Sequence, residues 1–232
     1  MIPIYDDQPT RSFPLVTILI IAVNFIVFAW WQLGVGLENS VALAGLVPAE
    51  LARGSASEAT YLFTSMFMHG SWIHLIGNMW FLWLFGNNIE DITSHFRFVL
   101  FYALCGVIAA GAHIVANPAS TIPIIGASGA VSGVLGAYLM KHPHARVRTV
   151  IPLFVFIRVV DIPAFIFLLL WIGLQVLSQM TSRVPEEGGG VAYLAHIAGF
   201  VAGMILINLF QKRRYLEAPT SWARYKRDER SY

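Results

Sequence analysis

Two side chains could do covalent chemistry together, Ser128 and His196, and each opens an apolar segment. Ser128 lies in Gly126-Ala127-Ser128-Gly129-Ala130. His196 lies in Ala195-His196-Ile197-Ala198-Gly199, sixty-eight residues later. A serine in hydrocarbon can satisfy itself on the carbonyl one turn back. A histidine there is costly and needs a partner or a function. On facing helices the two are the minimum apparatus for acyl transfer, because the imidazole takes the hydroxyl proton and returns it to the leaving amine.

Such a reaction needs donors for a developing oxyanion. His74 and Asn78 are four residues apart, so they share one face of a helix, and both can donate. The backbone N–H of Ser128, at the positive end of a helix, is a third donor. His69, at the mouth of the same helix, reads better as a structural tie to the preceding loop. No carboxylate falls near these residues, because Glu90, Asp91 and Asp161 belong to the opposite end and the rest to loops or tails. A Ser-His dyad is therefore expected rather than a triad. His69, His74 and His196 lack the carboxylate or thiol company of a zinc site, and no metal or cofactor is expected. The segment around Ser128 is not Gly-x-Ser-x-Gly and follows no strand, which excludes the nucleophile elbow of soluble hydrolases.

The elements that position these residues read as membrane helices. The chain of 232 residues is 57% hydrophobic and 12% charged, with mean hydropathy +0.66. Soluble domains carry about 25% charged residues. Apolar runs predict helices at 14–34, 61–86, 95–116, 126–141, 161–181 and 191–210, with Val150–Val160 as a shallow amphipathic entry to the fifth. Residues 36–60 form a long first loop, partly apolar enough to lie in the interface. Ala42-Leu43-Ala44 resembles a signal cleavage site, but the preceding run is too long and Asp6 and Asp7 spoil the positive flank, so a retained first helix is expected. The expected class is an all-α, six-helix membrane protein: a segment 1–13, a helical domain 14–210 and a basic tail 211–232. Cys105 is the single cysteine and reads as a packing residue.

Lys and Arg fix the orientation. Arg11, Arg97, Lys141, Arg146, Arg148, Lys212, Arg213 and Arg214 fall on one side, and only Arg53 and Arg183 on the other. The positive-inside bias gives both termini inside. Helices two, four and six then run outside to inside, and His74, Asn78, Ser128 and His196 gather at similar depth near the outer face. The basic residues belong to orientation and lipid headgroups, which argues against a nucleic-acid partner despite a net charge of +2. Small-residue stripes at Ser128, Ser132 and Gly136 and at Ala195, Gly199 and Gly203 allow the fourth and sixth helices to approach closely.

The residues resemble the rhomboid family of intramembrane serine proteases, from about Phe63 to Phe210. Three motifs in order carry the likeness: His69-Gly-Ser-Trp-Ile-His74-Leu-Ile-Gly-Asn78-Met, Gly126-Ala-Ser128-Gly-Ala130 and Ala195-His196-x-x-Gly199-x-x-x-Gly203. The resemblance implies a six-helix bundle in a cell membrane, plasma or inner, that cleaves transmembrane proteins near the outer face without a cofactor. Ser128 matches the nucleophile, His196 the base, and His74 and Asn78 the oxyanion pair. Helix five with the loop Ser182–Gly190 matches the substrate gate (161–190). Family members often carry, four residues after the nucleophile, an aromatic that stacks on the catalytic imidazole. Here that position is Ser132, so a hydroxyl or an aromatic such as Phe200 or Trp80 must hold the ring. The alternative activity is a catalytically silent rhomboid-like protein that binds or escorts membrane clients. A small transporter is a further class, resting only on Asp161 and Arg158 near the inner end.

Overall fold

The computed structural model describes residues 1–153, 156–181 and 192–212. Helix α1 spans Leu15–Val35, widening into a π-helical stretch over Val27–Gln32. Short helices follow in the first loop: α2 (Leu37–Ala44), α3 (Pro48–Ala52) and α4 (Ala56–Thr64). The remaining long helices are α5 (Trp72–Thr93), α6 (His95–Ala116), α7 (Ser128–Lys141), α8 (Ala164–Thr181) and α9 (Tyr193–Phe210). Among the described residues, α1, α6, α8 and α9 are long and apolar enough to cross a membrane. Their outward residues include Trp30, Leu174 and Leu209, all well exposed. Such apolar surface suits hydrocarbon.

Two expectations need correction. The chain is not all-α: β1 (Ile2–Asp6), β2 (Arg146–Leu153) and β3 (Phe156–Pro163) form an antiparallel sheet in that order. Its signal was present at period two, with Val147 and Thr149 buried between exposed Arg146, Arg148 and Val150 only half-buried. Residues 150–153 and 156–160 therefore pair as the far ends of β2 and β3 rather than forming a shallow amphipathic entry to the fifth helix, and α8 begins after Pro163. Asp161 pairs across the hairpin with Arg148 through two N–H···O bonds of 2.9 and 3.2 Å, not with Arg158. That removes the polar couple on which a transport path rested.

The second predicted helix is also two. Chain 61–86 breaks between α4 and α5, where Met68 turns extended and the Ser71 side chain caps α5 by accepting from His74 N at 3.2 Å. A serine cap satisfies a donor the first helical turn leaves orphaned. The break is held from outside. Gln32 accepts from His69 N at 2.8 Å and donates to His69 O at 3.1 Å, so the end of α1 clamps the chain just ahead of α5.

Contacts give the directions of the helices. Val16 and Thr17 meet Glu90 while Phe28 meets Trp72, so α1 and α5 are antiparallel. His74 lies by Gly126 and Phe85 by Tyr138, so α5 and α7 are parallel. Gly129 and Gly133 face Gly199 and Gly203, so α7 and α9 are parallel too. One end of the bundle gathers α5, α7 and α9 N-termini, and the other gathers the sheet with Arg97, Lys141, Arg146, Arg148 and Lys212.

Candidate active site

Ser128 is the first residue of α7, and the approach to it is fixed by a bent, tethered loop. Gly126 takes φ +114°, a backbone conformation that favours glycine, and donates its N–H to Ser65 O at 2.9 Å. Upstream, Leu46 and Ile124 exchange both backbone bonds, at 3.1 and 2.8 Å, and Ala49 N donates to Ser120 O. The first loop thus carries the strand-like segment that delivers Ser128. The first helical bond of α7 runs from Val131 N to Ala127 O. The N–H groups of Ser128, Gly129 and Ala130 therefore lack intrahelical acceptors, as at any helix start.

His74 and Asn78 flank this turn. A Cβ added at Gly126 would lie 2.8 Å from both Cε1 and Nε2 of His74 and 3.9 Å from Asn78 Nδ2. Only glycine admits the imidazole edge so close to the chain. Gly70 N donates to His74 Nδ1 at 3.4 Å, a long bond that favours the tautomer with its proton on Nε2. That places an N–H on the ring edge facing Gly126. Asn78 spends one amide hydrogen on His74 O at 3.1 Å and keeps the other. His69 is fully buried and its ring lies edge-on to His74 at 5.0 Å. Its main chain carries a tie to the end of α1, not to the first loop as expected.

His196 is carried on α9, whose backbone touches that of α7. A Cβ on Gly199 would overlap Gly129 O, one on Gly203 would overlap Gly133 O, and one on Gly136 would overlap Phe200 O. On its other side α7 packs on α6, where a Cβ on Gly133 would sit 2.6 Å from Cys105 Sγ. Cys105 is fully buried and does the packing work expected of it. Ser128 and His196 thus stand near the start of two touching parallel helices. No hydrogen bond joins their side chains in this structure, although such bonds commonly tighten only once substrate is bound.

A rhomboid-domain family model matches residues 56–213, which spans α4 to the end of α9 and takes in every residue of this site. The chain belongs to the rhomboid family. Rhomboid-related protein 2 from Mus musculus is 30% identical over 201 residues, 82% of this chain and 62% of that protein. The mitochondrial presenilin-associated rhomboid-like protein of Mus musculus is 32% identical over 140 residues, 59% of this chain and 36% of the relative. The rhomboid protease GluP of Bacillus subtilis (strain 168) is 32% identical over 126 residues, 54% and 24% respectively. The chain therefore spans less than two thirds of the length of these relatives. As a rhomboid it is a multi-pass helical membrane protein, with the small sheet added at one end.

An aromatic does lie against the His196 ring, but neither of the two that the sequence suggested. Ser132 is buried and its hydroxyl donates to Ser128 O at 2.6 Å, the back-bond open to any serine in a helix. Trp80 donates its indole N–H to Pro3 O at 2.6 Å, at the sheet end. Phe200 stacks not on His196 but on Trp171. The ring instead meets α8: Trp171 stacks on it at 6.1 Å and 30°, and Gln175 Oε1 lies 2.8 Å from Nδ1. Tyr193 adds an edge-on contact at 6.4 Å. A signal for Gln175 existed, since it is the single amide in the run Ala164–Leu177 and lies one turn beyond Trp171. The loop Ser182–Gly190, matched to a gate by resemblance, lies outside the described residues apart from α8 leading to it.

Proposed function

We propose that this chain is an intramembrane serine endopeptidase, with Ser128 as nucleophile and His196 as general base. The observation that carries the proposal is the contact of Gly199 with Gly129. It brings His196 beside the start of α7, while Gly126 holds the same start against His74 and Asn78. The hydroxyl of Ser128 attacks the scissile carbonyl and its proton passes to His196 Nε2. The tetrahedral oxygen draws hydrogen bonds from His74 Nε2–H, the free Asn78 N–H and the N–H of Ser128. Collapse expels the amine, which takes the proton from His196. Water then attacks the acyl-enzyme by the same route, releasing the new carboxyl terminus and restoring the serine.

The substrates in this reading are transmembrane proteins cut near the outer face. Six helices span the bilayer, α5 and α7 included, and both termini lie inside. The charge at the sheet end supports that orientation, since Arg97, Lys141, Arg146, Arg148 and Lys212 all gather there. At 14 residues, α7 is about 21 Å long at 1.5 Å per residue. Its start therefore lies below the outer surface, where irregular backbone must face protein or water. Residence in a cell membrane, plasma or inner, α8 as the moving wall of a gate, and anchoring of the tail on anionic lipid belong to the same proposal.

The test uses the full chain in phosphatidylethanolamine–phosphatidylglycerol vesicles with a fluorescent single-span reporter. Cleavage by the wild type and none by Ser128→Ala or His196→Ala is expected. Cleavage that survives Ser128→Ala refutes the dyad. Binding of the reporter without any cleavage favours the silent escort.

A further inference from the structure

Resting on the protease reading above, we propose that Gln175 is a positioning residue for His196, the third side chain of the site in place of the absent carboxylate. Gln175 Oε1 lies 2.8 Å from His196 Nδ1. An amide oxygen can only accept, so Nδ1 carries the proton and Nε2 keeps its lone pair. That is the tautomer a base needs toward Ser128. Trp171, one helical turn earlier on the same face of α8, stacks on the imidazole and sets its plane. Plane and tautomer are thus both fixed from α8, while the ring itself belongs to α9.

The other candidates for this role are committed elsewhere. The Ser132 hydroxyl is bonded to Ser128 O, and the Trp80 indole to Pro3 O. Among the described residues no carboxylate is bonded to His196. Gln175 also has a reason of its own to make the bond, since an amide in a membrane helix stays costly until it finds a partner. The pairing joins α8 to α9 across the site, so any outward displacement of α8 frees the His196 ring.

The experiment measures the rate at which a fluorophosphonate labels Ser128 as a function of pH. It uses the full chain in detergent, comparing wild type, Gln175→Leu, Gln175→Glu and His196→Ala. Gln175→Leu keeps the shape but not the acceptor, and labelling slows about tenfold or more, within the range general-base catalysis supplies. Gln175→Glu accepts the same N–H and restores the rate. Its negative charge also favours the imidazolium, moving the inflection of the profile up by about one pH unit. Reaction of the buried Cys105 with a thiol dye on heating reports whether each variant is folded. Slow labelling in a folded Gln175→Leu that Gln175→Glu fails to restore would mark a merely structural Gln175, and that result overturns the inference. Wild-type labelling rates in a folded Gln175→Leu overturn it as well. If wild-type labelling depends on His196 but not on Gln175, only this inference falls. If it is independent of His196, the protease reading falls and takes this inference with it.

Discussion

The two ends of the bundle are built on opposite terms. At the sheet end polar groups are densely paired. Glu90, fully buried, accepts from Val16 N at 2.9 Å, Thr17 N at 2.8 Å and the Thr17 hydroxyl at 2.7 Å, and pairs with His95 at 2.5 Å. A carboxylate from α5 thus caps the start of α1, where the first-turn N–H groups and the helix dipole both favour it. Asp91 accepts from Ser12 at 2.6 Å, while its carbonyl receives Lys212 at 2.8 Å. Asp6 accepts from Tyr138 at 2.5 Å and from Asn88 at 2.9 Å. At the other end, among the described residues, the Ser128 hydroxyl is unbonded and the amide of Asn78 keeps a hydrogen free. One end fastens the chain; the other leaves donors and a hydroxyl unspent, which is what the proposed reaction needs.

The sharpest way to break the comparison is to push the ends apart where backbones touch. Gly203→Leu places a side chain into Gly133 O and should cost more than the about 1–3 kcal/mol typical of overpacking. Cleavage should vanish, and Cys105 should become reactive to a thiol dye at a lower temperature. Retained activity would contradict the close-packing account. Ser128→Ala and His196→Ala, at the unspent end, should abolish cleavage while leaving the same melting temperature within a few degrees.

At the fastened end the order reverses, with stability falling before chemistry. Glu90→Ala strands two backbone donors and the Thr17 hydroxyl, and buried groups left unpaired cost about 1–3 kcal/mol each. The melting temperature should drop clearly, and activity below it should survive. A Glu90→Ala protein as stable as wild type would show that the cap carries no load. The smallest effect concerns pH. Burial raises the Asp6 carboxyl from 3.8 to about 6. Between about pH 4 and 6 the folded state holds more protons than the unfolded one, so stability declines as pH rises through that window. Asp6→Asn should flatten the slope between those values and raise stability above pH 6, by about 1–2 kcal/mol after the lost hydrogen bonds are counted. A thiol-dye melt series across pH 4–8 measures it.

Much of the candidate site was legible because its residues are expensive where they stand. Serine, histidine and asparagine in apolar helices are each conspicuous, and the glycine stripes told which helices touch. What escaped was set by partners distant in sequence. The sheet depends on Ile2–Asp6 finding Arg146–Leu153, and the short alternation over Arg146–Val150 ran straight into an apolar stretch that masked it. The break in 61–86 turns on Gln32 reaching His69, which no local spacing announces. Gln175 was visible as a lone amide, but its partner lies on another helix.

The central claim is that Ser128 is an activated nucleophile made so by His196. The most direct measurement is fluorophosphonate labelling of the detergent-solubilised chain, with the modified residue located by mass spectrometry, beside Ser128→Ala and His196→Ala. The account predicts modification at Ser128 in the wild type and none in either variant. Equal modification in His196→Ala, or a folded wild type that does not react, would contradict it.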